Sequence, residues 1–384
     1  LADGDAMSGA SAPRIVLVQT QAENAGAQEI SRLIAADLAA RGFDVRQLFF
    51  FRRTASFDAS ANVEFCADER PRGPFAFLRF LVALHRRLRA IRPDVVVTFQ
   101  HYGNVIAAPV ARIVGARRVI ANQVSAGGMM ARWVVTADKW LGRLGAYDRI
   151  VVNSDYTASL FAAYPASYRN RILRLDHGFE DKTQAIGKAE ARAGLGLPTD
   201  VALLGCAARL HPSKQLDVAI AILPMIAGAH LALAGQGEDR PRLEALAREA
   251  GVDARVHFLG ELPPEKIGVF LAALDCFVFP SAAETFGLAP VEAAQTGLPV
   301  VANELLVLKD VLKVDGEPCA LFVDAHDHAA FADAVKRVLD EPVLAARLGA
   351  AGRRLQQRYP LSAMTDAYAE LIGLMIEGGD ARRR

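Results

Sequence analysis

The sequence predicts two consecutive doubly wound α/β domains, each a parallel sheet flanked by helices, facing one another across a cleft. Three observations carry this expectation. At 384 residues the chain exceeds what one hydrophobic core usually holds. Short β-branched runs alternate with helical stretches through both halves, the pattern of parallel α/β folds. The periodicity breaks near 178–200, at "HGFEDKTQAIG" and "GLGLPTD", where a linker is expected. Each domain should carry its ligand-binding loops at the carboxyl ends of its strands, and the cleft between them is the expected site.

In the first half, strands are expected at 14–19, 44–50, 94–99, 118–123, 149–153 and 171–175. The segment 27–41 between the first two reads as a helix, with Ile30, Leu33, Ile34 and Leu38 at helical spacing. The second half repeats the plan, with strands at 201–207, 230–235, 256–260, 276–280, 299–302 and 320–323. Helices are expected between them at 213–226, 238–250 and 287–296, and residues 326–377 read as a run of helices.

Hydrophobic residues make up 52% and charged residues 23% of the chain, a globular composition. No apolar run approaches the roughly 20 residues of a membrane-spanning helix. The opening "LADGDAMSGASAPR" has neither a basic nor an apolar segment of a secretory signal, and Met7 is a candidate natural start. Cys66, Cys206, Cys276 and Cys319 are widely spaced, which suits isolated core residues in a reducing compartment rather than a disulfide framework or zinc site. The net charge of +1 conceals an asymmetry: residues 13–180 carry +9 and residues 181–384 carry −6. A basic half suits an anionic partner. A nucleic acid is the least supported, because no reading helix, zinc module or aromatic platform accompanies the charge.

The most informative stretch is "PSAAETFGLAPVEAAQTGLPVVAN" (280–303), where Glu284 and Glu292 are eight positions apart. With a helix over 287–296, Glu284 lies on the preceding loop and Glu292 on the second turn. The backbone N–H groups of Thr285, Phe286, Gly287 and Leu288 then surround a helix start, a place that suits a diphosphate or sugar oxygens. After the strand at 201–207, "ARLHPSKQLD" places Arg209 and Lys214 where a planar fork and a compact charge can hold phosphate. Gly235 and Gly237 of "LALAGQGED" mark a strand-to-helix turn.

Together these segments resemble the E-x7-E signature and its surroundings in retaining GT-B glycosyltransferases, particularly the family 4 enzymes. The resemblance covers about residues 13–377, closely over 201–303 and loosely before 150. It implies a GT-B architecture, with an acceptor domain over 13–180, a nucleotide-sugar domain over 181–358, and a helix over 359–384 crossing back to the first domain. It also implies roles. Glu284 would hold the transferred sugar and Glu292 the ribose, while Arg209 and Lys214 would grip the donor diphosphate and stabilise the leaving charge. Gly26, Gly235 and Leu262 would line the donor, together with 285–288. No cofactor is implied, and the absence of a DxD pair among donor motifs agrees with a metal-independent diphosphate site. The two glutamates share one loop-helix unit, so they look like binders rather than the opposed pair of a glycoside hydrolase.

Four departures from the family pattern are visible. Gln215 stands where a glycine often follows the lysine, and Ala25 replaces the first of two glycines before the first helix. Val307-Leu308 and Asp310 replace a Gly-Gly and a following glutamate. Asn122, Gln123 and Val124 occupy the strand end where relatives carry a histidine, leaving His101 as the candidate catalytic histidine on a cleft loop. His177 and His211 are not expected to act as bases.

The donor is expected to be a UDP-sugar before a GDP-sugar, and the acceptor a hydroxyl compound, lipid-linked or otherwise, in cell-surface polysaccharide, lipopolysaccharide or glycolipid synthesis. The segment 75–94 is apolar on one side, with Arg86, Arg87, Arg89 and Arg92 near its end. Core packing accounts for its leucine spacing better than a helix lying on anionic lipid does. Expected localisation is cytoplasmic, with peripheral attachment to the inner face of the membrane as an added reading. A nucleotide-sugar epimerase and an inactive sugar-nucleotide-binding homologue are the alternatives.

Overall fold

The computed structural model describes residues 12–23, 25–124 and 131–380. The readings of the first residues, including the start at Met7 and the lack of a signal, fall largely on residues outside that set. Seven strands form the first sheet: β1 (Arg14–Ala22), β2 (Asp44–Arg52), β3 (Val63–Ala67), β4 (Val95–Phe99), β5 (Arg118–Gln123), β6 (Arg149–Val152) and β7 (Ile172–Arg174). Their order is β3-β2-β1-β4-β5-β6-β7, and every pair is parallel. The order reverses between β1 and β4.

The second sheet contains β8 (Leu203–Ala207), β9 (His230–Ala234), β10 (Val256–Gly260), β11 (Cys276–Phe279) and β12 (Val300–Asn303). A small antiparallel hairpin, β13 (Lys313–Val314) with β14 (Glu317–Pro318), precedes the last strand of the sheet, β15 (Ala320–Val323). The order β10-β9-β8-β11-β12-β15 is again all parallel and reverses between β8 and β11. Both sheets are doubly wound, as the GT-B resemblance implies.

Each first strand is buried because helices cover both faces. Val16, Val18 and Val96 pack beneath helices Pro74–Ile91, Gln100–Ile113 and Arg132–Arg143. Ile15, Leu17 and Val97 on the opposite face meet helix Gly26–Ala40 and the last helix, Leu361–Asp380. Met364, Tyr368, Leu371 and Ile372 of that last helix are buried in the first domain's core. The Tyr368 hydroxyl donates to Asn122 Oδ1, and Arg118 Nε donates to the Met375 carbonyl at 3.0 Å. The C-terminal helix therefore crosses back to the first domain, as expected.

The chain passes between the domains twice, and the two passages run side by side. Phe179 pairs with Pro360 in an isolated parallel bridge, and Phe179 N–H donates to the Tyr359 carbonyl at 3.2 Å.

Several elements differ from expectation. The edge strand β3 was not foreseen; its five residues are all only half-buried, which leaves it without the apolar run that marked the others. The expected linker contains a short helix, Lys188–Gly194. The single helix expected over 213–226 is instead a turn at Pro212–Lys214, a helix over Leu216–Ala221 and a second turn at Leu223–Met225. Pro224 cannot donate to a continuing helix, which accounts for the second break.

Of the three phenylalanines of "LFFFRR" (48–53), Phe49 and Phe50 are buried and Phe51 partly so. Cys206, Cys276 and Cys319 are buried and Cys66 half-buried, all as free thiols. Burial pushes the Cys66 and Cys206 thiols up to about 12.

Candidate functional site

The carboxyl ends of the central strands of both sheets converge on one cavity of about 350 Å³. Its wall takes residues from the ends of β1, β4 and β5 and from those of β8, β9, β10 and β11. Both switch points therefore open into it, where doubly wound sheets bind ligands.

Local hydrogen bonding explains how the second domain places its charged side chains. His211 caps the turn Pro212–Lys214 by accepting from Ser213 N–H at 3.2 Å. The Ser213 carbonyl then accepts from Ala282 N–H at 2.9 Å and from Ser281 Oγ at 3.3 Å. Those two bonds dock the turn on the loop after β11, so Lys214 Nζ lies 2.5 Å from Glu284 Oε1. Asn303, on β12, fixes the same loop by donating to the Ser281 carbonyl at 3.0 Å.

Arg209 is set by a different device. A Cβ on Gly235 would lie 2.0 Å from the Ala208 carbonyl oxygen, and one on Gly237 would lie 2.1 Å from that of Leu210. Only glycine lets the turn after β9 approach the 208–210 backbone this closely. The guanidinium points across the cleft, with Nη1 3.6 Å from Glu23 Oε1 of the first domain. Glu23 also meets Arg53 Nε at 3.1 Å and accepts from Gln21 Nε2. A diphosphate gripped by Arg209 would compete with this buried carboxylate.

The loop between Glu284 and Glu292 is clamped by the first domain. The Thr285 carbonyl accepts from Ser154 Oγ at 3.1 Å and lies 3.2 Å from Thr157 Oγ1, and Thr285 Oγ1 donates to the Val124 carbonyl at 3.4 Å. Phe286 packs its ring in an aromatic cluster with His177, Phe179 and Tyr359 and is itself buried. Gly287, at φ 90°, precedes helix Leu288–Gln295. Leu288 packs against Gly26, where an added Cβ would come 2.5 Å from Leu288 Cδ1. Glu292 occupies the second turn of that helix and is half-buried on the cavity wall. Desolvation pushes its carboxyl up to about 7; Glu29 and Glu180 push in the same direction, while Lys182 opposes them.

Of the residues singled out in the sequence, Gly26, Arg209, Lys214, Gly235, Leu262, Glu284, Thr285, Phe286, Gly287, Leu288 and Glu292 all line this cavity. His101 does not. It belongs to the first turn of helix Gln100–Ile113 rather than to a loop, with its ring against Tyr102 and its pKa lowered by burial. The residue presented to the cavity from that strand end is Gln100, whose φ is 63° and whose Oε1 accepts from Thr20 Oγ1.

Sequence reasoning passed over Glu23, Gln28, Lys182 and Gln236, and set His177 aside as a base; all five share the wall. Glu23 and Gln28 flank the first glycine loop. Lys182 and His177 lie in the linker, whose irregular sequence gives no periodicity from which to read an orientation.

Three of the four departures have local explanations. Gln215 adopts the left-handed region at φ 47° and ψ 42°, a conformation in which glycine carries no side-chain penalty. Ala25 is extended at φ −144°, which any residue adopts, so no glycine is needed there. The segment carrying Val307 and Leu308 forms helix Leu306–Val311 with both side chains buried, and Asp310 pairs with Lys313 at 3.0 Å.

Among the described residues no group of three or more metal-ligating side chains is gathered, and no helix is long and apolar enough to cross a membrane. Across the whole chain the fold matches solved GT-B structures. Sucrose-phosphate synthase from Thermosynechococcus elongatus superposes with a TM-score of 0.79 at 22% identity, covering 95% of this chain and all of that one. The Anabaena protein HepE, in complex with UDP-glucose, superposes with a TM-score of 0.80 at 17% identity over 94% of this chain and 99% of that one. The class is therefore that of the two-domain GT-B proteins.

Residues 187–355 match the model of glycosyl transferases group 1. Similar proteins include the D-inositol 3-phosphate glycosyltransferase of Saccharomonospora viridis, 33% identical over 248 residues that make up 58% of this chain and 55% of that one. The protein of the same name from Mycolicibacterium smegmatis is 34% identical over 53% of this chain and 48% of its own length. The chain thus spans about half the length of the curated relatives it matches.

Proposed function

We propose that this protein is a retaining glycosyltransferase. It moves a sugar from a nucleoside-diphosphate sugar, with UDP the first candidate and GDP the second, to a hydroxyl of its acceptor. The observation that carries the reading is the convergence of Arg209, Lys214, Glu284 and Glu292 on one cavity at both switch points. Names among the relatives support it, since D-inositol 3-phosphate glycosyltransferases match over somewhat more than half of this chain and HepE holds UDP-glucose in the same fold. In this reading residues 13–180 receive the acceptor, 181–358 bind the donor and 359–384 brace the two.

Glu292 accepts hydrogen bonds from the ribose and Glu284 from the sugar hydroxyls. Arg209 and Lys214 hold the diphosphate and require no metal beside them. The acceptor oxygen bonds to the anomeric carbon on the face from which the diphosphate departs. The broken C–O bond leaves its electron pair on the phosphate oxygen, which takes the acceptor's proton. Fixed cations beside that oxygen stabilise the developing charge more than the ground state. Incubating the protein with sugar nucleotides and acceptor hydroxyl compounds, and reading the product by proton NMR, tests this. The account expects a glycoside with the donor's anomeric configuration; an inverted product contradicts it.

The same proposal includes a lipid-linked acceptor and attachment to the inner face of an anionic membrane. Helix Pro74–Ile91 buries Phe80, Leu84, Leu88 and Ile91, as the leucine spacing predicts, yet Phe75, Leu78 and Val82 are exposed on its other face beside Arg79, Arg86 and Arg89. Helix Arg132–Arg143, over the same face of the sheet, exposes both tryptophans of the chain, Trp133 and Trp140. These helices and Gln100–Ile113 between them carry one acid, Asp138, which is buried. Exposed aromatics among unopposed cations suit a lipid surface. Replacing Phe75, Leu78 and Trp140 with serine should abolish sedimentation with vesicles containing phosphatidylglycerol; unchanged sedimentation, or no sedimentation of the wild type, contradicts the attachment.

A further inference from the structure

His177 lies at the hinge, just after β7, and its ring lines the cleft cavity. It is 6% exposed and stacks on Phe286 with ring centroids 5.0 Å apart. Its Nε2 lies 2.9 Å from Asn153 Nδ2. The orientation of that amide is assigned by its other end: Thr157 Oγ1 gives its one proton to Asn153 Oδ1 at 2.9 Å, the shorter of its two acceptor contacts, while Ser154 Oγ serves the Thr285 carbonyl. Asn153 therefore donates to Nε2. A neutral imidazole that accepts at Nε2 carries its proton on Nδ1.

That Nδ1–H is buried and has no hydrogen-bond partner among the described residues. An unmatched buried donor calls for an explanation, and a ligand that completes it is one. His177 shares the cavity wall with Thr285, Phe286 and Gly287, the segment assigned above to the donor. Desolvation lowers its pKa to about 3, so the ring is neutral and serves as a donor, neither as a cation nor as a base.

We propose that His177 is a donor-recognition residue whose Nδ1–H bonds to an oxygen on the diphosphate-sugar half of the bound nucleotide sugar. The inference rests on the donor-site reading and deepens it: the hinge itself contributes a direct contact to the ligand, and Asn153 and Thr157 are positioning residues that fix the tautomer. Ser154 Oγ, 2.9 Å from Thr157 Oγ1, donates to the Thr285 carbonyl, so one small network orients both the histidine and the loop it serves.

Three variants separate recognition from packing. His177→Phe keeps a ring against Phe286 and removes the donor. His177→Gln keeps an amide near the Nε2 position, facing Asn153, and also removes the donor at Nδ1. His177→Asn places an amide nitrogen near the Nδ1 position and restores it. Binding of UDP-glucose, GDP-mannose, UDP and GDP is measured by calorimetry, with melting of the unliganded variants recorded alongside.

The expected result is a loss of about tenfold or more in affinity for Phe and Gln, with Asn within about threefold of wild type. A loss seen with the diphosphates as well as the nucleotide sugars places the accepting oxygen on phosphate; a loss confined to the nucleotide sugars places it on the sugar. Phe and Gln variants that bind every probe as wild type does overturn this inference alone, as does an Asn variant as weak as Phe. A wild type that binds none of the probes overturns the donor-site reading and this inference with it.

Discussion

In the proposed donor site, Glu292 joins desolvation and ligand contact in a single side chain. Its carboxyl is raised to about 7 by desolvation. If ribose hydroxyls donate to it, the ionised form binds better, so binding releases a proton and affinity rises with pH. A UDP-sugar that binds should bind more tightly at about pH 8 than at about pH 6, because its diphosphate does not titrate over that range, and the slope should vanish in Glu292→Gln. The stability linkage has the opposite sign. The native group holds its proton to higher pH than the unfolded one, so its contribution falls as pH rises from about 4.5 to about 7. Urea unfolding should find Glu292→Gln little different from wild type near about pH 4, and more stable by up to about 3 kcal/mol above about pH 7. A flat difference across pH would contradict the buried carboxyl.

At the scale of elements, the turn Pro212–Lys214 and the loop after β11 form one unit, joined through the Ser213 carbonyl. The turn ends on Gln215 in a left-handed conformation, which costs an ordinary residue about 1–2 kcal/mol. Gln215→Gly should therefore stabilise the protein by up to about 1 kcal/mol after the extra unfolded-state freedom of glycine is subtracted. Thermal unfolding checks this, and a lowered melting temperature would show that the Gln215 side chain contributes more than its backbone costs.

Legibility in the sequence also divides by element. Strands buried on both faces, such as β4 and β11, announced themselves as continuous apolar runs. The half-buried edge strand β3 did not, and Pro224 split a helix that hydrophobic period alone had joined. The cavity residues on strand-to-helix turns were readable because their glycines and charges stand at the spacing of the E-x7-E signature they resemble. His177, Lys182 and Glu23 were not, because only the folded arrangement of the two sheets brings them to the same wall. His101 looked like a loop residue because nothing in "TFQHYGN" signals a helix start, and Gln100 begins that helix at positive φ.

For the whole molecule, the paired crossings at Phe179 and Pro360 are the joint about which the halves are held. Across the cleft the domains touch through Ser56 Oγ and Glu261 Oε1 at 2.7 Å, Glu23 and Arg209, Thr285 with Ser154 and Val124, and Leu288 against Gly26. Most of these contacts are polar, as suits a cleft that must open for its ligands. The joint itself is tight. A Cβ on Gly178 would come 2.7 Å from both Leu361 Cα and the Pro360 carbonyl oxygen. Gly178→Ala should push the two crossings apart and cost about 1–3 kcal/mol in urea unfolding. An unchanged midpoint would mean the crossings are loosely joined.

The central claim is that one cavity holds a nucleotide sugar through the side chains of both switch points. Calorimetric titration of the protein with UDP- and GDP-sugars, in the presence of a metal chelator, tests it most directly when run on wild type, Arg209→Ala and Glu292→Ala together. The account predicts binding by wild type without metal, and affinity about tenfold to a hundredfold weaker in each variant. Equal affinity in all three, or binding that appears only when metal is restored, would contradict it.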